Sequence, residues 1–225
     1  MTRKLCGNPH YFVPSVTDAG TMLRFEAQPI LSLRGDEVVG YELLYRSTIP
    51  CDWADVDAAL VRYLQVAQGH PTLFVNLSDQ GLLAASVDEL VQAAACNMVV
   101  FELSESVSGY AQRERIAEKV NALIERGVRV AIDDFGAGRD SLERLYAIGP
   151  TAAVKIDRLF LQTCARRGDA ASTLQHLIQQ WRSAGVMSIA EGIESSTLYE
   201  FARALGCDMV QGWHVDSIVE QRKAA

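Results

Sequence analysis

The stretch Gly127-Val128-Arg129-Val130-Ala131-Ile132-Asp133-Asp134-Phe135-Gly136-Ala137-Gly138 decides the fold of this chain. A short, β-rich apolar run gives way to two adjacent carboxylates and a glycine-rich turn, as a buried strand with polar groups after it does. Just before it, residues 113–126 carry Ile116, Val120, Leu123 and Ile124 at intervals of four, three and one. These lie on one helical face, and Gly127 stops the helix. The alternation repeats outward. Short β-rich runs occupy 72–77, 98–103, 153–156, 186–190 and 209–211, with helical patterns between them. Alternating strands and helices predict a parallel sheet, either closed as a (β/α) barrel or open and doubly wound. Ahead of them, runs at 24–33 and 38–45 flank the turn residues Arg34-Gly35-Asp36 and read as a hairpin. Residues 1–22 read as an N-terminal leader, 23–220 as a single domain and 221–225 as a tail.

Composition agrees with one globular unit. Of 225 residues, 49% are hydrophobic and 22% charged, which argues against disordered, collagen-like and disulfide-stapled chains. A chain of this length buries about 70% of its surface on folding. No apolar run reaches the length of a membrane span and the N-terminus lacks a signal-peptide core, so the expected location is cytoplasmic. With Lys+Arg 21 against Asp+Glu 28, the net charge of −7 supplies no footprint for duplex nucleic acid, while a small anion recruited through cations fits. The five cysteines, Cys6, Cys51, Cys96, Cys164 and Cys207, form no Cys-x-x-Cys pair and are expected to be reduced and mostly buried.

The chemistry lies in where polar residues meet the apolar runs. Glu42 falls in the second run of the hairpin, Asn76 and Glu102 near the ends of the next two runs, and Asp133-Asp134 after 128–132. Lys155 sits within 153–156, Glu191 follows 186–190, and Gln211 ends the last run. In a parallel barrel the C-terminal strand ends converge on one mouth, so these residues would form one constellation. Five carboxylates there would repel one another unless cations neutralise them. All-oxygen donors with an added amide favour Mg²⁺ or Mn²⁺ over zinc, and paired acids allow two ions. Any one of these acids alone is more simply a helix cap or a solvated loop residue; the coincidence of seven elements carries the reading. Asp134-Phe135-Gly136 lacks the other kinase motifs, and Gly136-Ala137-Gly138 followed by Ser141 is an incomplete dinucleotide fingerprint.

Taken in order, a set of motifs resembles the EAL-type cyclic di-GMP phosphodiesterases of bacterial signalling over about residues 24–214. They are Gln28-Pro29-Ile30, Gly40-Tyr41-Glu42-Leu43-Leu44-Tyr45-Arg46, Val75-Asn76-Leu77-Ser78, Phe101-Glu102-Leu103-Ser104-Glu105, Asp133-Asp134-Phe135-Gly136-Ala137-Gly138, Lys155-Ile156-Asp157, Ala190-Glu191-Gly192-Ile193-Glu194 and Gln211-Gly212-Trp213. The resemblance implies an α/β fold, a TIM-like (β/α) barrel with a modified first hairpin, that hydrolyses cyclic di-GMP to the linear dinucleotide. It implies Glu42, Asn76, Glu102, Asp133, Asp134 and Glu191 as ligands of a pair of Mg²⁺ or Mn²⁺ ions. Lys155 would act on the attacking water and Gln211 would orient water or phosphate, with Glu42 also catalytic. Gln28, Leu43, Leu44, Arg46, Asp157 and Glu194 would contact substrate, and Glu105 would anchor the loop after Asp133-Asp134. A homodimer and a regulatory protein partner are also implied. The chain departs from the family pattern in the 33 residues between Glu42 and Asn76, which are fewer than usual. It departs again at Ser47, at Arg139-Asp140 and at Val215-Asp216-Ser217-Ile218. These departures define the alternative, an inactive member that binds cyclic di-GMP or a regulatory protein.

Overall fold

A computed structural model describes residues 15–16, 22–23, 25–46, 52–67, 71–96, 98–103, 110–138 and 141–224. Strands β1 (Ser15–Val16) and β2 (Met22–Leu23) form a small antiparallel ribbon. The hairpin of β3 (Phe25–Ser32) and β4 (Val38–Tyr45) follows. Its turn is held where Ser32 Oγ accepts from the backbone N–H groups of Arg34 and Gly35 at 3.3 and 3.1 Å, the local bonding that makes serine a turn residue. Then come α1 (Trp53–Val66), β5 (Leu73–Leu77), α2 (Asp79–Ala84), α3 (Val87–Cys96), β6 (Val99–Leu103), α4 (Tyr110–Glu125) and β7 (Arg129–Phe135). The chain continues through α5 (Ser141–Ala147), β8 (Ala153–Ile156), α6 (Arg158–Arg166), α7 (Gly168–Ser183), β9 (Met187–Ala190), α8 (Ser196–Leu205), β10 (Met209–Gln211) and α9 (Trp213–Ala224).

Eight strands close into a barrel in the order β10-β3-β4-β5-β6-β7-β8-β9. The open, doubly wound alternative is thereby set aside. Neighbours from β4 round to β10 pair in parallel, whereas β3 is antiparallel to both β4 and β10. The hairpin turn forces this reversal, because two strands joined by a few residues must run in opposite directions. Several of the helices begin on a side-chain cap that their flanking sequence encodes. Asp52, Ser78, Asp157 and Ser195 accept from N–H groups in the first turns of α1, α2, α6 and α8, satisfying donors that have no intrahelical partner.

Side chains alternate between the barrel interior and the helical shell. Outward residues such as Val75, Leu77, Phe101, Leu103, Val130, Ile132, Val154 and Ile156 join the large core under the helices. Inward residues Ile30, Phe74, Val100, Ala131, Ala153 and Ile189 form a separate apolar plug. Gly40 faces the same interior, where a Cβ would meet Thr72 O at 2.9 Å and the Phe74 ring at 3.2 Å, so its missing side chain leaves room for that ring. Burying each large apolar side chain contributes about 1.5–3 kcal/mol, and the plug gives the residues above it a rigid floor. Among the described residues no helix is long and apolar enough to cross a membrane.

Candidate active site

Strand period dictates what lies above the plug. Two residues on from Gly40, Phe74, Val100, Ala131, Ala153, Ile189 and Met209 stand Glu42, Asn76, Glu102, Asp133, Lys155, Glu191 and Gln211. Each follows the barrel interior by the two-residue rule, so parallel strands deliver seven polar groups to one level. On β3, which runs the other way, the matching step leads from Ile30 back to Gln28, paired with Glu42 in the ladder.

Lys155 is the hub. It is 0% exposed, and its Nζ lies 2.8 Å from Glu102 Oε1, 2.8 Å from Glu191 Oε1, 3.1 Å from Glu42 Oε2 and 3.1 Å from Asp133 Oδ1. Asn76 Nδ2 donates to Glu42 Oε1 at 2.6 Å and to Glu102 Oε2 at 2.8 Å. Gln211 Nε2 donates to Glu42 Oε2 at 2.6 Å and to Gln28 Oε1 at 2.9 Å, and Gln28 Nε2 donates to Asp216 Oδ2 at 3.1 Å. This relay fixes the Gln211 amide against the ring. Asp216 was not anticipated from the sequence, although it lies in the segment where the chain departs from the family pattern.

Consecutive residues of a regular strand face opposite sides, yet Asp133 and Asp134 both reach the mouth. The sequence placed them after the strand; in the structure β7 continues through them to Phe135. One extra residue is inserted between the pairs Ile132↔Val154 and Phe135↔Ile156, and Asp134 has φ 54°. Such a bulge re-aims side chains at a barrel rim, and Asp tolerates the left-handed conformation better than most residues.

Burial and charge act in opposition here. Burial disfavours the charged Lys155, but Glu102, Glu191, Glu42 and Asp133 around it hold its pKa well above the ordinary lysine value. Burial drives Glu102 well above the usual carboxylate range, helped by Glu42, and takes Glu191 up to about 8. Burial, with Asp133 beside it, also raises Asp134. In Glu42 the burial penalty is outweighed by Lys155 and by hydrogen bonds that include Gln211, leaving its pKa lowered. One ammonium therefore does not balance the ring. Ligand oxygens of Glu42, Glu102 and Asp133, and of Asp133, Asp134 and Glu191, lie within 4.8 Å of one another in two triads that share Asp133. An excess of hard oxygen donors with a shared carboxylate fits two divalent cations.

Around the ring opens a cleft of about 390 Å³ lined by Gln28, Leu44, Arg46, Asp157 and Glu194, with Trp213, quoted above only as part of a motif, and Arg158, which the sequence reading had not singled out. Arg46 pairs with Glu26 at 3.2 Å and Arg158 with Glu194 at 2.7 Å. Asp157 Oδ1 also caps α6. Leu43 points outward into the core and borders a second cavity of about 420 Å³ rather than this cleft. That cavity also touches Asp57 on α1, a residue signalled in the sequence only as an acid on the buried side of a helix. Its carboxylate accepts from Ser78 N and Oγ at 3.0 and 2.5 Å. Glu105 lies outside the described residues, as do Ser47 and Arg139-Asp140. Cys164 and Cys207 are free and buried.

A closed barrel whose mouth is ringed by acids, three amides and one buried lysine defines a carboxylate-rich (β/α)-barrel class. The EAL domain family model matches residues 54–217, and the chain belongs to the EAL domain family. The match begins after β4, so the placement of Glu42 in the ring rests on barrel geometry. The chain is 30% identical over 172 residues to the bifunctional diguanylate cyclase/cyclic di-GMP phosphodiesterase MucR of Pseudomonas aeruginosa, covering 72% of this chain and 24% of MucR. It is 27% identical over 236 residues to the cyclic di-GMP phosphodiesterase RocR of the same organism, covering 89% of this chain and 60% of RocR. Both relatives are thus longer than the part this chain spans. Among solved structures, the MucR phosphodiesterase in complex with c-di-GMP superposes with TM-score 0.63 at 25% identity, over 84% of this chain and 89% of that one. The manganese/cy-diGMP complex of Klebsiella pneumoniae BlrP1 gives TM-score 0.68 at 21% identity, over 90% and 58%.

Proposed function

We propose that this chain is a metal-dependent phosphodiesterase that opens cyclic di-GMP to the linear dinucleotide. The observation that carries the reading is the pair of carboxylate triads sharing Asp133 around Lys155. Glu42, Asn76, Glu102, Asp133, Asp134 and Glu191 would hold two ions, Mg²⁺ or Mn²⁺. Such ions, when bound, supply Lewis-acid activation of water and screening of the phosphate charge. Lys155, whose Nζ lies within 2.8 to 3.1 Å of Glu42, Glu102, Asp133 and Glu191, stands where it can hold the attacking water or take its proton. Gln211, fixed through Gln28 and Asp216, orients water or phosphate at the same mouth. Arg46 and Arg158 offer cations to the substrate phosphates, each after exchanging its present carboxylate partner. Gln28, Leu44, Asp157 and Glu194 line the space for the rest of the dinucleotide. We assign the domain to residues 23–220, working in the cytoplasm as a homodimer open to a regulatory protein.

A second reading, an inactive binder of cyclic di-GMP or of a protein, draws on the short connection of 33 residues between Glu42 and Asn76. Incubation of the protein with cyclic di-GMP and Mg²⁺ or Mn²⁺, followed by nucleotide chromatography, separates the two. Hydrolysis by the wild type and its loss in Glu42→Gln, which removes a carboxylate donor from the first triad, are expected. Intact cyclic di-GMP after prolonged incubation, with the fold retained by circular dichroism, would move the assignment to the binder.

A further inference from the structure

We propose that Arg144 on α5 is a positioning residue for the metal-ligand ring, its guanidinium holding the two carbonyls at which the β6 and β7 ladders end. This rests on the metal-site reading above and adds to it a residue that neither the motifs nor the ring itself contains.

The need follows from the sheet. Pairing of β6 with β7 runs from Val100↔Arg129 to Leu103↔Ile132 and stops there, and pairing of β7 with β8 is interrupted between Ile132 and Phe135. Leu103 O and Asp133 O thus stand where the ladders stop, one residue after Glu102 and within the Asp133-Asp134 bulge itself. Buried backbone carbonyls require partners. Arg144 Nη1 donates to Leu103 O at 3.3 Å and Nη2 donates to Asp133 O at 2.5 Å. A planar fork with two separate Nη groups can bridge two carbonyls on adjacent strands, whereas a lysine ammonium presents a single centre. Arg144 Nε is buried without a hydrogen-bond partner among the described residues, so the fork is set for the strand ends at the expense of its third donor group.

The consequence concerns geometry at the ligands. Glu102 and Asp133 belong to one triad, and Asp133 and Asp134 to the other. Tying the ends of β6 and β7 together sets the separation of these carboxylates through their backbone, whereas Lys155 holds the side-chain oxygens of Glu102 and Asp133. A bulge with Asp134 at positive φ is locally strained and persists when its surroundings over-determine it; Arg144 is one of those surroundings.

The test is Mn²⁺ titration of the full chain, read by the electron paramagnetic resonance signal of free Mn²⁺, for wild type, Arg144→Met and Arg144→Lys, with thermal unfolding of each. Arg144→Met is expected to bind Mn²⁺ about tenfold more weakly, the scale of outer-shell effects on metal affinity. The Mn²⁺ concentration for half-maximal hydrolysis should rise in step, while KM for cyclic di-GMP at saturating Mn²⁺ holds. Arg144→Lys should recover part of the affinity. Wild-type affinity in a folded Arg144→Met overturns the proposal and leaves the metal site standing. Absence of Mn²⁺ uptake by the wild type overturns the metal-site reading and this proposal with it. Should Arg144→Met fail to fold, Arg144→Lys decides: several-fold weaker Mn²⁺ binding supports the role, and wild-type affinity overturns it.

Discussion

At the scale of single residues, Lys155 governs the site. A fully buried lysine is costly unless paired, and here four carboxylates within 2.8 to 3.1 Å pair it. The same contacts make the lysine indispensable to the acids when cations are absent. Lys155→Met should therefore destabilise the protein in chelator by about 3–5 kcal/mol, the cost of leaving buried charges without their partner. Mg²⁺ or Mn²⁺ should restore part of this loss, because a divalent cation supplies the missing positive charge. Calorimetry with and without metal measures both effects; an unchanged unfolding temperature in chelator would contradict the role given to Lys155.

At the scale of elements, the strand ends are held from outside the barrel. Asp57 of α1 grips Ser78, the N-cap of α2, and so ties the first helix to the turn that follows Asn76. Gly81 on α2 permits this approach, since a Cβ there would lie 2.1 Å from Asp57 Oδ2. Burial pushes Asp57 from 3.8 to about 6, against the lowering effect of the Ser78 bonds. Between these values the folded chain keeps a proton that the unfolded chain has released, so this group's contribution to stability declines as pH rises through the window. The slope is at most about 1.4 kcal/mol per pH unit. Asp57→Asn removes it. Urea unfolding of wild type and variant at several pH values should show the wild type losing ground to Asp57→Asn between about pH 4 and pH 6; parallel profiles would refute the assignment.

At the scale of the whole molecule, closure of the barrel depends on its seam. Strand β10 is only three residues long and must join parallel β9 to antiparallel β3. Asp208, just ahead of it and 2% exposed, accepts from Ser188 N and Oγ at 3.0 Å each, from Arg182 Nε and Nη2 at 3.1 and 2.8 Å, and from Arg34 Nη2 at 3.2 Å. One carboxylate thus joins β9, α7 and the turn of the first hairpin. Asp208→Ala should cost about 3 kcal/mol in denaturant unfolding, the scale for removing one partner of a buried charge network. Its place at the end of β10 opposite Gln211 predicts that hydrolysis per folded molecule is unaffected. A stability within error of wild type would show that the seam closes without it.

The alternation of short apolar runs with amphipathic helices determined the strands, and the hairpin residues around Arg34-Gly35-Asp36 determined the reversed first strand, because periodicity and turn chemistry are local properties. The polar residues at the strand ends were legible for the same reason: a period of two carries Phe74 to Asn76 and Val100 to Glu102 whatever the rest of the chain does. Whether the sheet closed was not legible from periodicity, since open and closed sheets share one local pattern; the resemblance supplied the barrel, and the pairing of β10 with β3 shows it. Tertiary structure alone decided that Asp133 and Asp134 both face the mouth, which requires an extra residue relative to β8. It alone brought in Asp57, Arg144 and Asp216, whose partners lie 21, 11 and 188 residues away in sequence. Contacts of that kind form when packing sets helices over strand ends, and the residues that make them carry no periodic signal of their own.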